Sequence, residues 1–156
     1  MGKGITAETP GPARYRTFSQ YLRERYGRQI RKIPVDAGFR CPNRDGTRSH
    51  DGCIFCDNRA FSPPSRHPGR TIREQISRAI NHSRRTRNRG FIAYLQPNTN
   101  TYGSPDVIAS RIAEAVSFPE IVAVAIGTRP DCVDETRLAA IRAAAALLRS
   151  AQTRGC

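Results

Sequence analysis

The 156-residue chain has no apolar run approaching the ~20 residues of a helical membrane span, and its first stretch, MGKGITAETPGPARYR, lacks the apolar core of a secretion signal. A soluble cytoplasmic protein is the expectation. Cysteines are few and odd in number, five in a chain without an export signal, which argues against a disulfide scaffold. A second C-x2-C pair, such as a zinc ribbon would carry, is missing. No internal repeat is visible, and no low-complexity stretch other than an alanine run near the carboxyl end. Hydrophobic residues make up 38%, low but not low enough for disorder, and the length suits one domain with its own core.

Negative charge is also scarce. Thirteen acidic residues face 26 basic ones, a formal net charge of +13. All of the excess precedes Gly90, with 20 basic and 7 acidic residues before it and 6 of each after it. Arginine supplies 24 of the 26, a bias that GC-rich coding can produce, yet coding would not confine the excess to one half. The runs at Tyr21 to Lys32 and Ser83 to Arg89 resemble phosphate-contacting surfaces, so a polyanionic partner, RNA foremost, is expected, with neither DNA nor membrane.

Residues 1–13 read as a flexible tail. Phe18, Tyr21, Leu22 and Tyr26 recur at helical spacing between Tyr15 and the stop signal Gly27, which predicts a leading amphipathic helix. A strand follows at Gln29 to Val35. Thr71 and Glu74 form a capping box opening a helix over 71–87, with Ile72, Ile76 and Ile80 as its apolar stripe. Phe91 to Leu95 is a second strand. Ser104 and Pro105 open another helix, ending near Pro119, with Val107, Ile108, Ile112, Ala115 and Val116 inward. Ile121 to Ile126 reads as a parallel strand covered on both faces, and a last helix spans about 134–150, with Leu138, Ile141, Ala145 and Leu148 on one side.

One helix followed by three strand–loop–helix units implies an α/β fold with parallel strands and right-handed crossovers. Ligands in such folds bind at the carboxyl ends of the strands, so the cysteine loop, QPNTNTYG at 96–103 and GTRPDC at 127–132 should share one rim.

Cys41, Cys53 and Cys56 stand as C-x11-C-x2-C in a Gly, Asp, Asn and Pro-rich loop. Three thiolates in one loop suggest a metal. Zinc needs a fourth ligand, for which His50 or His67 is available, while an iron–sulfur cluster normally takes four cysteines, so three would leave one iron open. A thioredoxin-like reading of Cys53 and Cys56 leaves Cys41 unused.

The segments VDAGFRCPNRDGTRSHDGCIFC, YLQPNTNTYGSP and IGTRPDCV resemble the radical S-adenosylmethionine (SAM) family related to the elongator catalytic subunit, over roughly residues 14–148. The resemblance implies that Cys41, Cys53 and Cys56 hold a [4Fe-4S] cluster whose fourth iron chelates SAM. An electron from the cluster, delivered by a donor protein, would then cleave SAM to a 5′-deoxyadenosyl radical. It further implies Phe55 near the adenine, Gln96, Asn98, Thr99 and Asn100 at the methionine end of SAM, and Thr128 and Arg129 facing SAM or substrate. Asp36, Asn43, Arg44 and Asp45 are read as bracing the loop, Asp131 and Cys132 as shaping a turn, and His50, His67 and His82 as solvated. Relatives resemble enzymes acting on wobble uridines of transfer RNA, and bases in single-stranded loops are presented by stacking and arginine contacts.

Family members add βα units that complete a partial (β/α)6 barrel. Here only three units occur, so the expectation is an incomplete barrel over residues 14–150, an aberrant or truncated tail over 151–156, and an unpaired edge at the third strand. Two other readings fit the residues: a non-catalytic RNA-binding module with zinc held by Cys41, Cys53, Cys56 and His50, and an inactive remnant.

Overall fold

The computed structural model describes residues 14–62, 69–83 and 90–152. The expected tail at 1–13, His67, the basic run beyond Ser83, the end of the helix expected over 71–87, and Cys156 lie outside the described residues.

The elements run α1 (Phe18–Tyr26), β1 (Ile30–Val35), α2 (Asn58–Phe61), α3 (Ile72–His82), β2 (Gly90–Leu95), α4 (Pro105–Val116), β3 (Ile121–Ile126), a 3-10 turn at Pro130–Cys132, and α5 (Glu135–Gln152). The strands form one parallel sheet in the order β1-β2-β3. The expected α/β alternation is therefore present, and among the described residues β3 has a neighbour on one side only.

Local chemistry sets the boundaries. Thr17 Oγ1 accepts from Gln20 N, so α1 starts at Phe18 rather than Tyr15, and Gly27 ends it with φ of 65°. The Thr71–Glu74 capping box forms as expected. Ser104 caps α4 with Pro105 in its first turn. The Asp134 carboxylate accepts from Arg137 N at 2.8 Å and opens α5, which continues to Gln152, two residues into the expected tail.

One cluster forms the core. Ile33, Val35, Phe91, Ala93, Leu95 and Ile121 of the sheet meet Ile72 and Ile76 of α3, the Ile108, Ile112, Ala115 and Val116 stripe of α4, and Ala144 of α5. Three expectations fail at its margins. Val107 is 45% exposed, because it precedes Ile108 by one position and is rotated off the inner stripe. β3 is fully buried only at Ile121 and Val122, since it is an edge strand with helices packed on one face. In α1 only Leu22 is buried, while Phe18 and Tyr21 remain 54% and 38% exposed. Leu22, Ile92 and Val122 are buried outside the main cluster. Among the described residues no helix is long and apolar enough to cross a membrane.

Candidate cofactor site at the strand ends

The loop after β1 folds on its own backbone. Arg44 N and Asp45 N donate to Cys41 O at 2.8 and 3.1 Å, Gly52 N donates to Asn43 O at 2.8 Å, and Cys56 N donates to Cys53 O at 2.9 Å. Arg44 reaches across to the Cys56 carbonyl at 3.0 Å. Gly52, at φ of 77°, leaves that arginine its room: a Cβ there would meet Arg44 Nε at 2.9 Å. Asp36 and Asp45 accept from Gly38 N and Thr47 N, so the bracing roles expected of these carboxylates are seen.

Hydrogen bonds join this loop to the one after β2. Thr99 N donates to Arg40 O at 3.2 Å, Asn98 Nδ2 to Phe39 O at 2.9 Å, and the Thr47 and Tyr102 hydroxyls share a hydrogen bond at 2.9 Å. The loop after β3 is joined by Arg48, which pairs with Asp131 at 3.1 Å. All three loops therefore meet, as their position at the strand ends requires.

Where they meet is a cavity of about 360 Å³ with a mostly apolar wall. The first loop contributes Cys41, Arg44, Cys53, Phe55 and Cys56, the second Asn98 and Thr99, and the third Arg129, Pro130 and Asp131. All three thiols of the C-x11-C-x2-C pattern line it, half-buried and unoxidised. Its size lies within the ~300–1,000 Å³ of small-molecule pockets, far more than one ion needs. A hollow of about 410 Å³ at the start of α3 contains no thiol. Gln75 there is already engaged with Asp36 and Arg70.

The thiols have amide neighbours. Asn43 Nδ2 donates to Cys53 Sγ at 3.1 Å, and Cys56 Sγ donates to Asn58 Oδ1 at 3.6 Å. Asn58 was not singled out from the sequence, nor was α2, which begins with it. Its only sequence signal is an asparagine two residues beyond a cysteine.

Across the cavity, Arg129 holds Asp131 with two bonds of 2.9 Å. That fork is the main reason the Asp131 carboxyl drops to about 2, with Arg48 adding to it. The same fork raises the Arg129 guanidinium above its ordinary value, with a smaller contribution from Cys41. Burial, and then Asp131, pushes the Cys132 thiol up.

Not every residue singled out from the sequence lines the cavity. Asn100 is 1% exposed, and its Nδ2 lies 2.9, 3.1 and 3.0 Å from the carbonyls of Leu95, Pro97 and Gly127. It joins the ends of β2 and β3. Thr128 bonds Thr101 through their hydroxyls, and Gln96 is half-buried away from the lining.

Among the described residues no three His, Cys, Asp or Glu side chains stand close enough to hold a single metal ion. The tetrahedral set of Cys41, Cys53, Cys56 and His50 is thus not assembled, and the His50 ring lies against Gly46. A cluster differs in taking each thiolate on a separate iron, so its ligands need only face one cavity, which these three do.

Over 121 residues, 78% of the chain, the sequence is 38% identical to Protein YhcC of Escherichia coli K12. It is 33% identical over 123 residues to Uncharacterized protein YtqA of Bacillus subtilis, and 30% identical over 123 residues to Uncharacterized protein MJ0486 of Methanocaldococcus jannaschii. The chain spans 38% of the length of the first two and 37% of the third. No family model matches the chain, and no solved structure matches it.

Proposed function

We propose that residues 14–150 are the cluster-binding part of a radical SAM enzyme, its three βα units forming the first half of a partial (β/α)6 barrel. The observation that carries this reading is the convergence of Cys41, Cys53 and Cys56 on one cavity that also receives the loops after β2 and β3. The chemistry such a cluster supplies when bound is one-electron reduction of SAM, breaking its sulfonium C–S bond to give the 5′-deoxyadenosyl radical.

The chain's own residues have definable tasks. Cys41, Cys53 and Cys56 are the iron ligands. Asn43, donating to Cys53 Sγ, holds that sulfur toward the cavity. Phe55, 85% exposed at the cavity wall, offers a ring face to a base. Arg129, held by Asp131, presents a fixed cation for an anionic group of SAM or substrate, beside the wall formed by Thr99 and by Asn98, whose amide is held by Asn58 and the Phe39 carbonyl. Asn100 and Thr128 serve the scaffold instead. The substrate is an exposed base of an RNA loop, such as a wobble uridine of transfer RNA, and a separate protein donates the electron.

Anaerobic reconstitution with ferrous iron and sulfide tests the assignment. A brown protein holding about four irons and four sulfides per chain is expected, with SAM perturbing the spectrum of the reduced form. A colourless product that binds one zinc with the help of His50 would overturn it.

A further inference from the structure

The sequence places an apolar stripe on α1 that the fold does not bury. Of the eleven aromatic residues in the chain, four lie between Tyr15 and Tyr26. Tyr15 is 75% exposed, Phe18 54% and Tyr21 38%, whereas a helix serving only the core would turn such rings inward. Phe18 and Tyr21 stack on each other, centroids 6.2 Å apart and planes 23° from parallel. The Lys32 ammonium lies 5.4 Å from the Phe18 ring and 5.4 Å from the Tyr94 ring, which carries the aromatic band from α1 onto the sheet.

Cations are interleaved with these rings. Arg16 sits 5.3 Å over Tyr21 and Arg25 5.8 Å over Tyr26. Between Arg14 and Lys32 there are seven basic residues and one acidic residue, Glu24, which Arg16 neutralises. The surface is therefore apolar in its ring faces and strongly positive around them. A helix that lies in a membrane segregates its apolar face from its charges. Here the guanidinium groups and the ammonium stand on the ring faces themselves. Planar groups joined by phosphates match this pattern, since bases stack on the rings while the phosphates meet arginine and lysine. Stacking requires unpaired bases, which RNA loops supply and a duplex does not.

We infer that the exposed face of α1, continued by Lys32 and Tyr94, is a docking surface for single-stranded RNA. None of its residues lines the cysteine cavity, and it does not depend on what that cavity holds. Its test can be run on the full chain without iron.

Fluorescence anisotropy with a labelled oligouridylate of about 12 nucleotides, within the ~4–16 that one small module covers, provides the readout. Phe18→Ala with Tyr21→Ala should weaken binding by about tenfold or more while leaving the salt dependence unchanged. Arg23→Gln with Arg25→Gln should instead make the slope of log affinity against log salt shallower by about 1.4. Tyr15→Ala, at the most exposed of these rings, gives a check in which folding is least at risk. The inference is overturned if the aromatic variants bind as the parent does, if duplex RNA binds as well as the single strand, or if phosphatidylserine vesicles bind while RNA does not. It is also overturned if the aromatic substitutions act only by dissociating a dimer of the chain.

Discussion

Asn58 and Asn98 face each other across two loops, the Nδ2 of Asn58 donating to the Oδ1 of Asn98 at 2.7 Å. Asn58 also accepts from Cys56, and Asn98 donates to the Phe39 carbonyl, so four residues form one chain of hydrogen bonds from a thiol to the loop leaving β1. The second loop is thereby fastened to the thiol loop at both ends of the latter.

Asn98 takes a left-handed backbone, φ 62°, as well as making these bonds. Both Asn98→Gly and Asn98→Ala lose the side-chain bonds, but only alanine also meets the steric cost of that conformation. Urea denaturation should place Asn98→Ala below Asn98→Gly by about 1 kcal/mol. Equal stabilities would mean that the strain is relieved some other way.

Asn100 is the larger stabiliser. Replacing it with alanine leaves the carbonyls of Leu95, Pro97 and Gly127 without the amide they now share, in a buried position. A loss of about 2–3 kcal/mol in urea denaturation is expected. Because Asn100 does not line the cavity, whatever Asn100→Ala retains of the fold should still take up iron.

The cysteines divide into two classes. Cys41→Ala, Cys53→Ala and Cys56→Ala should each abolish stable iron loading, measured as iron and sulfide per chain after anaerobic desalting. Cys132→Ala, which alters a buried thiol outside the cavity lining, should keep it. Undiminished loading in Cys53→Ala would sink the ligand assignment.

Acid should loosen the third loop. Asp131 sits at about 2 rather than 3.8, so the folded chain binds this proton less tightly than the unfolded chain does. The stabilisation it gives is fully present above about pH 5 and is lost as the pH falls through about 2. Asp131→Asn should remove that part of the acid-side decline, read from urea midpoints between these limits. A parallel decline in parent and variant would show that the Arg129–Asp131 fork contributes nothing to stability.

Much of the scaffold was legible because its signals are local. The Thr71 box, the Ser104–Pro105 start and the Gly27 stop each act within one turn of helix, and all appear where the sequence puts them. Parallel pairing and the shared rim followed from the alternation of elements. Periodicity failed at Phe18 and Tyr21, because a helical repeat shows which residues share a face but not whether anything covers it. Polar loop residues were the hardest to sort. Asn98 and Asn100 are two positions apart with the same side chain, and only tertiary hydrogen bonding separates the cavity wall from the brace.

The outer edge of β3 has a further effect on how the protein behaves as a colloid. Six consecutive uncharged residues, IVAVAI, present backbone donors and acceptors with no strand beside them among the described residues. The net charge of +13 pushes molecules apart, and that repulsion is long-ranged only in dilute electrolyte. Raising the ionic strength shortens it and lets bare ribbons zip together, so this polypeptide should keep best in low-salt buffer and cloud in concentrated brine.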